Sequence, residues 1–375
     1  MIDRIVIFYG SKKDFETLIS KEVYKDQFTI PFMELIQHYN ARLRPNESGV
    51  PESALYEKIC VDNCIVRADD YGSVLAHVLS NFVNIVTLNH DIVTLFVHNP
   101  PRIVKDSLFS TYREKIEYRS TEYPALSRTK LKEVYANIDS DILGQKNCKK
   151  EIVSGMYRLI TKTNNKPVVL MLYGPSGVGK TESAKSISKT MGGKLLRIQF
   201  SMMQTTEAYN YVFGAEHSKG SLAKDMMARE SNVILIDEFD KVNSIFYNAF
   251  YELFDEGRYV DTNYDVNLGQ AIFLLTSNFG SEEEIKRALG PAMFSRIGCC
   301  IAYEELSVEQ KQIIIRNWYN SIIASLQKDE REAIQKTNIL DWFIRNAERY
   351  DNIRTLKSKL ENAIFDRLVE TFVLT

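Results

Sequence analysis

Hydrophobic and polar positions change rhythm along the chain. Ile5–Tyr9 is a short apolar run ending at Gly10-Ser11, which predicts a strand followed by a turn. Apolar residues return at helical spacing through Phe15–Ile19 and Phe32–Ile36, and further strands are predicted at Cys64–Val66, Asn84–Leu88 and Ile92–Val97. Asn99-Pro100-Pro101 then breaks the pattern ahead of a helix. This alternation predicts a small α/β domain over residues 1–125. Tyr112 to Lys132, rich in charge, Ser, Thr and Tyr, reads as a linker or an irregular lead-in to the next unit. From Ile138 to about Tyr303 a longer βαβ alternation predicts a parallel-sheet unit over residues 131–304. Gln310–Leu326 and Thr355–Phe372 carry apolar residues at i, i+3 and i+4, predicting a helical unit over residues 305–375. No internal repeat is visible.

Composition narrows the class. With 375 residues, 45% hydrophobic and 26% charged, the chain suits two or three globular domains and is not largely disordered. A net charge of −2 offers no general attraction to nucleic acid or to an anionic membrane surface. Five cysteines without metal-ligand spacing predict neither a disulfide framework nor a zinc site. The amino-terminal apolar run is too short for a secretory signal, and no stretch approaches the ~20 residues of a membrane helix. The expectation is a reduced, cytoplasmic protein with no membrane partner.

Chemistry enters at Val168–Tyr173, a continuous apolar run suited to a parallel strand buried on both faces. It leads directly into Gly174-Pro175-Ser176-Gly177-Val178-Gly179-Lys180-Thr181, a complete GxxxxGK[ST] loop. Its glycines let backbone N–H groups curl around phosphate oxygens, and the following helix presents its positive end to the same anion. Lys180 is placed to reach the β- and γ-phosphates of ATP, and the Thr181 hydroxyl to ligate Mg2+. A second buried strand, Asn232–Ile236, ends in Asp237-Glu238. Asp237 suits holding Mg2+ through its water shell, and Glu238 suits polarising the attacking water. Asp240-Lys241 reads as a surface ion pair outside the site. A third strand from Ile272 ends at Asn278, whose amide can orient the same water.

With these residues in place, the chain resembles the Clp-type AAA+ ATPases, in particular their second nucleotide-binding module. The loop from Gly174 through Thr181 to Glu182 nearly repeats the family's wording, and Leu253–Arg258 with Asp261 is similar to its "LDDGRLTD" segment. Thr276–Gly280 resembles the "TSNLG" sensor 1. Ile142-Leu143-Gly144-Gln145 resembles the box lining the adenine pocket. Phe294–Ile297 is similar to the stretch holding the arginine finger, here Arg296. Asn352–Leu356 stands where the family has sensor 2, here Arg354. The resemblance spans roughly residues 135–375. It implies an AAA+ P-loop fold with a parallel-sheet large subdomain and a helical small subdomain, preceded by the small α/β domain. It also implies a homo-oligomeric ring, usually a hexamer, with ATP between neighbours: Arg296 serves the next subunit's site and Arg354 its own.

Two departures follow. The family's pore loop carries an aromatic, whereas Phe213–Leu222 has none after Gly214. Tyr209 and Tyr211, upstream, read as packing residues. Torsins, single-module relatives, lack that aromatic too. No peptidase-docking loop follows Asn278, so no Clp peptidase is expected as a partner. The expected function is ATP-driven remodelling or switching of a protein partner chosen by the amino-terminal domain. The alternative is a nucleotide-gated switch or assembly scaffold with slow hydrolysis, in either case compatible with a bacterial or phage conflict system. A DNA-directed ATPase is disfavoured by the neutral charge, and a P-loop kinase by Glu238 together with Asn278 and Arg296.

Overall fold

Two five-stranded parallel sheets follow one another along the chain, and a set of helices closes it. The computed structural model describes residues 1–43, 58–161, 166–202 and 205–374. The first sheet comprises β1 (Ile2–Tyr9), β2 (Thr29–Pro31), β3 (Ile59–Val66), β4 (His90–His98) and β5 (Ile116–Ser120), in the order β2-β3-β4-β1-β5. Helices cover both faces, so Ile5, Val6 and Ile7 in successive positions of β1 are all buried. On one face the helix Lys12–Glu22 sets Phe15 and Ile19 against Val6, Phe8, Ile65 and Phe96. On the other, Phe32, Phe82, Val104 and Leu108 pack over Ile5, Ile7, Leu95 and Val97.

Two expectations are corrected here. Asn84–Leu88 is not a strand but part of the helix Phe82–Leu88, which buries Phe82, Val83, Ile85 and Val86. Its β-branched residues suggest a strand, yet their burial at i, i+3 and i+4 against the sheet decides the conformation. Residues 112–132 are likewise not a linker throughout. Ile116–Ser120 pairs in parallel with β1, and the helix Arg128–Asp141 starts at Ser127, whose hydroxyl accepts the Lys130 N–H at 3.1 Å. As an edge strand β5 keeps its side chains largely in solvent, which gives it a linker's composition.

The second sheet comprises β6 (Val168–Tyr173), β7 (Leu196–Gln199), β8 (Val233–Asp237), β11 (Ile272–Thr276) and β12 (Cys299–Ala302), with a hairpin of β9 (Arg258–Val260) and β10 (Asp265–Asn267) inserted before β11. Its order is β12-β6-β11-β8-β7. Counted within each sheet, both run 2-3-4-1-5, so the fold contains a repeat that the sequence does not display. Beyond the sheet, the helices Val308–Ser325, Lys328–Gln335, Ile339–Arg345 and Ile353–Phe372 enclose a core of their own, with Ile315, Ile334, Phe343, Leu356 and Leu360 buried.

The carboxyl end of the first sheet meets the second unit. Arg102 donates its backbone N–H to the Asn263 carbonyl at 2.8 Å, and its guanidinium to the carbonyls of Asp261 and Thr262 at 3.2 and 3.0 Å. Tyr123 donates its hydroxyl to the Arg229 carbonyl at 3.0 Å, and the Arg229 guanidinium lies 4.5 Å from the Tyr123 ring centroid. Among the described residues, no helix is long and apolar enough to cross a membrane.

Candidate nucleotide-binding site

The ends of β6, β7, β8 and β11 open into one crevice of about 260 Å3, closed on the far side by Trp318, Ile353, Arg354 and Lys357 from the carboxy-terminal helices. β6 hands over to the loop at Gly174, whose φ of +128° and position 2.3 Å from the Tyr303 carbonyl oxygen, measured from an added Cβ, require glycine. Gly179, at φ +109°, opens the helix Lys180–Met191. Lys180 is 8% exposed. Its ammonium donates to the carbonyls of Gly174 and Pro175, both at 2.6 Å, and lies 3.4 Å from Asn278 Oδ1. Burial pushes its pKa down to about 8; Asp240 and Asp237 oppose the fall and Arg354 adds to it. Among the described residues it makes no ion pair, so an arriving phosphate meets a cation already desolvated.

Asp237 is 5% exposed at the end of β8. Its Oδ1 accepts the Thr276 hydroxyl and lies 3.5 Å from the Thr181 hydroxyl, while its Oδ2 accepts Arg197. Glu238 leaves the strand at φ +57°, a left-handed turn that starts the short helix Phe239–Lys241. The Glu238 N–H donates to the Thr276 hydroxyl at 2.9 Å, and its carboxylate accepts Ser201 Oγ at 2.6 Å and Gln199 Nε2 at 3.4 Å. Asn278 Oδ1 also takes the Ser176 hydroxyl at 3.3 Å, linking the polar end of the third strand to the phosphate loop.

The crevice therefore brings together Ser176, Gly177, Gly179, Lys180, Thr181, Glu182, Asp237, Glu238, Asn278 and Arg354 of the residues marked in the sequence. Gly174 and Pro175 enter through their carbonyls. Val178 is buried in the core beneath, and Ile142 lies 3.2 Å from a Cβ added at Gly179. Leu143, half-buried, is not among the lining residues. Arg296 lies elsewhere: it pairs with Asp255 at 2.8 Å and its guanidinium sits 4.3 Å from the Tyr251 ring centroid. Asp240 corrects the surface-pair expectation. Lys241 does reach it, at 3.4 Å, but the carboxylate is buried and its Oδ1 has no hydrogen-bond partner among the described residues. Tyr211 packs on Phe200 and donates to Asp225, as a packing residue should; Tyr209 sets its ring 4.8 Å from that of Phe213 and is 54% exposed.

Sequence reasoning missed Arg197, Gln199, Ser201 and Lys357, and gave Thr276 no role of its own within the sensor 1 stretch. The alternation of β7 was the available signal, since it sends Arg197 and Gln199 to one side of the strand. Four cations (Lys180, Arg197, Arg354, Lys357) then face three carboxylates (Glu182, Asp237, Glu238) in the crevice, a balance that favours a polyanion carrying a divalent cation.

Strand order, phosphate loop and acidic strand end define a P-loop fold of the AAA+ class. Residues 165–337 match the family model for the AAA domain (Cdc48 subfamily). Chaperone protein ClpB of Prochlorococcus marinus is 26% identical over 246 residues, covering 57% of this chain and 28% of the relative. The ClpA homolog protein of Fuscovulum blasticum is 33% identical over 141 residues, covering 36% of this chain and 18% of the relative. A closed-state cryoEM reconstruction of Hsp104 with ATPγS and FITC casein shares the fold, at a TM-score of 0.52 and 13% identity over 99% of this chain and 87% of that one. Residues 165–337 thus form an AAA domain, and the chain is similar to the Clp chaperones around it. The chain spans only 28% to 39% of the length of the first ClpB relatives it matches.

Proposed function

We propose that this chain is a Mg2+-dependent ATP hydrolase that works as an oligomeric ring and remodels or switches a protein partner. Three units would share the work: residues 1–125 to meet the partner, 131–304 to bind ATP, and 305–375 to close over it. The observation that carries the reading is the convergence of Lys180, Asp237, Glu238, Asn278 and Arg354 on one crevice.

The donors fit Mg2+: a buried carboxylate and a hydroxyl are the hard oxygens that ion prefers. Thr181 and Asp237 would hold it, and it would neutralise charge on the β- and γ-phosphates. Lys180 gives up its two carbonyl partners to the phosphates. Glu238 polarises a water held by Asn278 and takes its proton, the water oxygen bonds to the γ-phosphorus, and the bond to the ADP oxygen breaks. ADP and phosphate result. Arg354 contacts the same chain's nucleotide. Arg296, outside its own crevice and held by Asp255, would turn to complete a neighbour's site, a placement that fits a ring; six subunits follow from the resemblance.

The slower alternative, a nucleotide-gated switch, is favoured by one observation. Ser201 and Gln199 both engage one oxygen of the Glu238 carboxylate, Oε2, which draws on its basicity and slows its action on water while they hold it. Steady-state ATP turnover, with and without a protein captured on a Glu238→Gln chain in ATP, separates the two. Turnover stimulated severalfold by the captured protein fits remodelling; slow turnover indifferent to it fits the switch.

A further inference from the structure

The two sheets correspond bond for bond where the phosphate loop begins. Tyr9-Gly10 closes β1 as Tyr173-Gly174 closes β6, and both glycines have positive φ, +142° and +128°. The Tyr9 carbonyl accepts the N–H of Thr121 at 2.9 Å, and the Tyr173 carbonyl that of Tyr303 at 2.8 Å. One residue earlier, Phe8 accepts from Asn99 at 2.8 Å and Leu172 from Ser277 at 3.0 Å. Pairing registers extend the match: Ile7, Val97 and Val66 lie side by side, as do Met171, Leu275 and Ile236. One step further along the third strand, Arg67 therefore stands where Asp237 stands, and Ala68 where Glu238 stands.

What differs is the loop itself. Six residues, Gly174 to Gly179, separate Tyr173 from its helix, and only two, Gly10 and Ser11, separate Tyr9 from the helix starting at Lys12. The short loop is closed by its own side chains. Gly10 donates its N–H to Asn99 Oδ1 and Ser11 to Thr121 Oγ1, both at 2.9 Å. The hydroxyls of Ser11 and Thr121 both donate to Asp14 Oδ2 at 2.8 Å, setting a carboxylate in the first turn of the helix, where an anion is stabilised. Arg67 is paired with Glu16 at 2.7 Å.

We infer that residues 1–125 are a second copy of the nucleotide-binding fold that binds no nucleotide, its phosphate position taken by Asp14. The turn that would cradle phosphate is filled by its own side chains, and the same edge carries the contacts of Arg102 and Tyr123 with the ATP-binding unit, around a cavity of about 470 Å3 lined by Tyr9, Gly10, Thr121 and Arg229. It rests on the proposed reading of Gly174–Thr181 only for its control.

The test is amide hydrogen exchange of the full chain by mass spectrometry, read locally. In the wild type, ATP with Mg2+ should slow residues 174–182 and leave 9–16 unchanged. In Asp14→Ala, residues 9–16 should exchange faster, and an inorganic phosphate titration should slow them progressively, by about tenfold once phosphate is ten times its half-effect concentration. Protection of 9–16 by ATP in the wild type would overturn the inference. So would an Asp14→Ala segment that phosphate leaves unmoved. If that variant fails to fold, Asp14→Ser takes its place, and the wild-type arm stands on its own. Failure of 174–182 to slow would contradict the ATP site instead, while the phosphate arm still decides this inference.

Discussion

Arg197 and Asp237 form an ion pair at the mouth of the crevice, with Nε 2.9 Å and a terminal guanidinium nitrogen 2.5 Å from Oδ2. The fork occupies one carboxylate oxygen and turns the other toward Thr181 and Thr276. Arg197→Ala removes that orientation. A charged hydrogen bond contributes about 1.5–3 kcal/mol, and the half-exposed arginine belongs at the lower end. The Mg2+ concentration for half-maximal turnover should rise by up to about tenfold, with a smaller rise in Arg197→Lys. An unchanged Mg2+ dependence would show that the pair is only structural.

Glu238 and Lys180 should fail differently. Glu238→Gln keeps Asp237, Thr181 and the loop, so ATP binding should persist while turnover nearly vanishes. Lys180→Ala removes a buried cation aimed at the phosphates; a loss of about 2 kcal/mol is roughly thirtyfold in Kd. Calorimetric titration with ATP alongside a phosphate-release assay checks both. Wild-type turnover in Glu238→Gln would refute the role given to the acidic strand end.

Processive threading of stable substrates is not expected. The Gly214–Leu222 stretch presents no aromatic, and its backbone is tied down: Asn263 donates to the Ala215 carbonyl at 2.6 Å and Lys224 to the Lys219 carbonyl at 2.9 Å. A polar loop forgoes most of the roughly 1.5–3 kcal/mol that burying a large aromatic contributes, against the ~5–15 kcal/mol stability of a folded domain. A stably folded fluorescent protein with an unstructured tail should keep its fluorescence while ATP is consumed. Fluorescence loss coupled to hydrolysis would contradict this and turn attention to exposed Tyr209.

Movement should instead pass through the contacts between the two sheets. Arg102→Ala deletes two hydrogen bonds to the β9–β10 turn, about 1–3 kcal/mol together. It should leave the unstimulated ATP turnover near wild type and reduce stimulation by a bound partner. Full stimulation in this variant would show that the amino-terminal unit does not relay the change.

How far the sequence could be read follows from how each element is held. β6, β8 and β11 are buried on both faces, so each is a continuous apolar run whose polar end announces the site. β7 is short and half polar, and its Arg197 and Gln199 escaped notice for that reason. β5 hid as a linker because an edge strand is held by backbone bonds, which any composition can make. The duplicated fold was invisible on the same ground: the copy survives in strand register and carbonyl partners, while Arg67 and Ala68 replaced the residues that mark the site. Arg296 and Arg354 were legible only through the family resemblance. No spacing rule marks a lone arginine.

The most direct measurement of the central claim, a hydrolytic site completed between copies, is ATP turnover in mixtures of Lys180→Ala and Arg296→Ala chains. Arg296 is tied to Asp255 on its own chain, outside its own crevice, so the finger role proposed for it needs a neighbour's site. An arginine finger contributes on the order of 10³–10⁵ in rate, so each variant alone should be nearly inactive. Random mixing in a head-to-tail ring pairs an intact loop with an intact finger at about a quarter of interfaces. Turnover should therefore reappear in the mixture and peak near equal proportions. Mixed oligomers, verified by native mass spectrometry, that hydrolyse no more ATP than either variant alone would contradict the account.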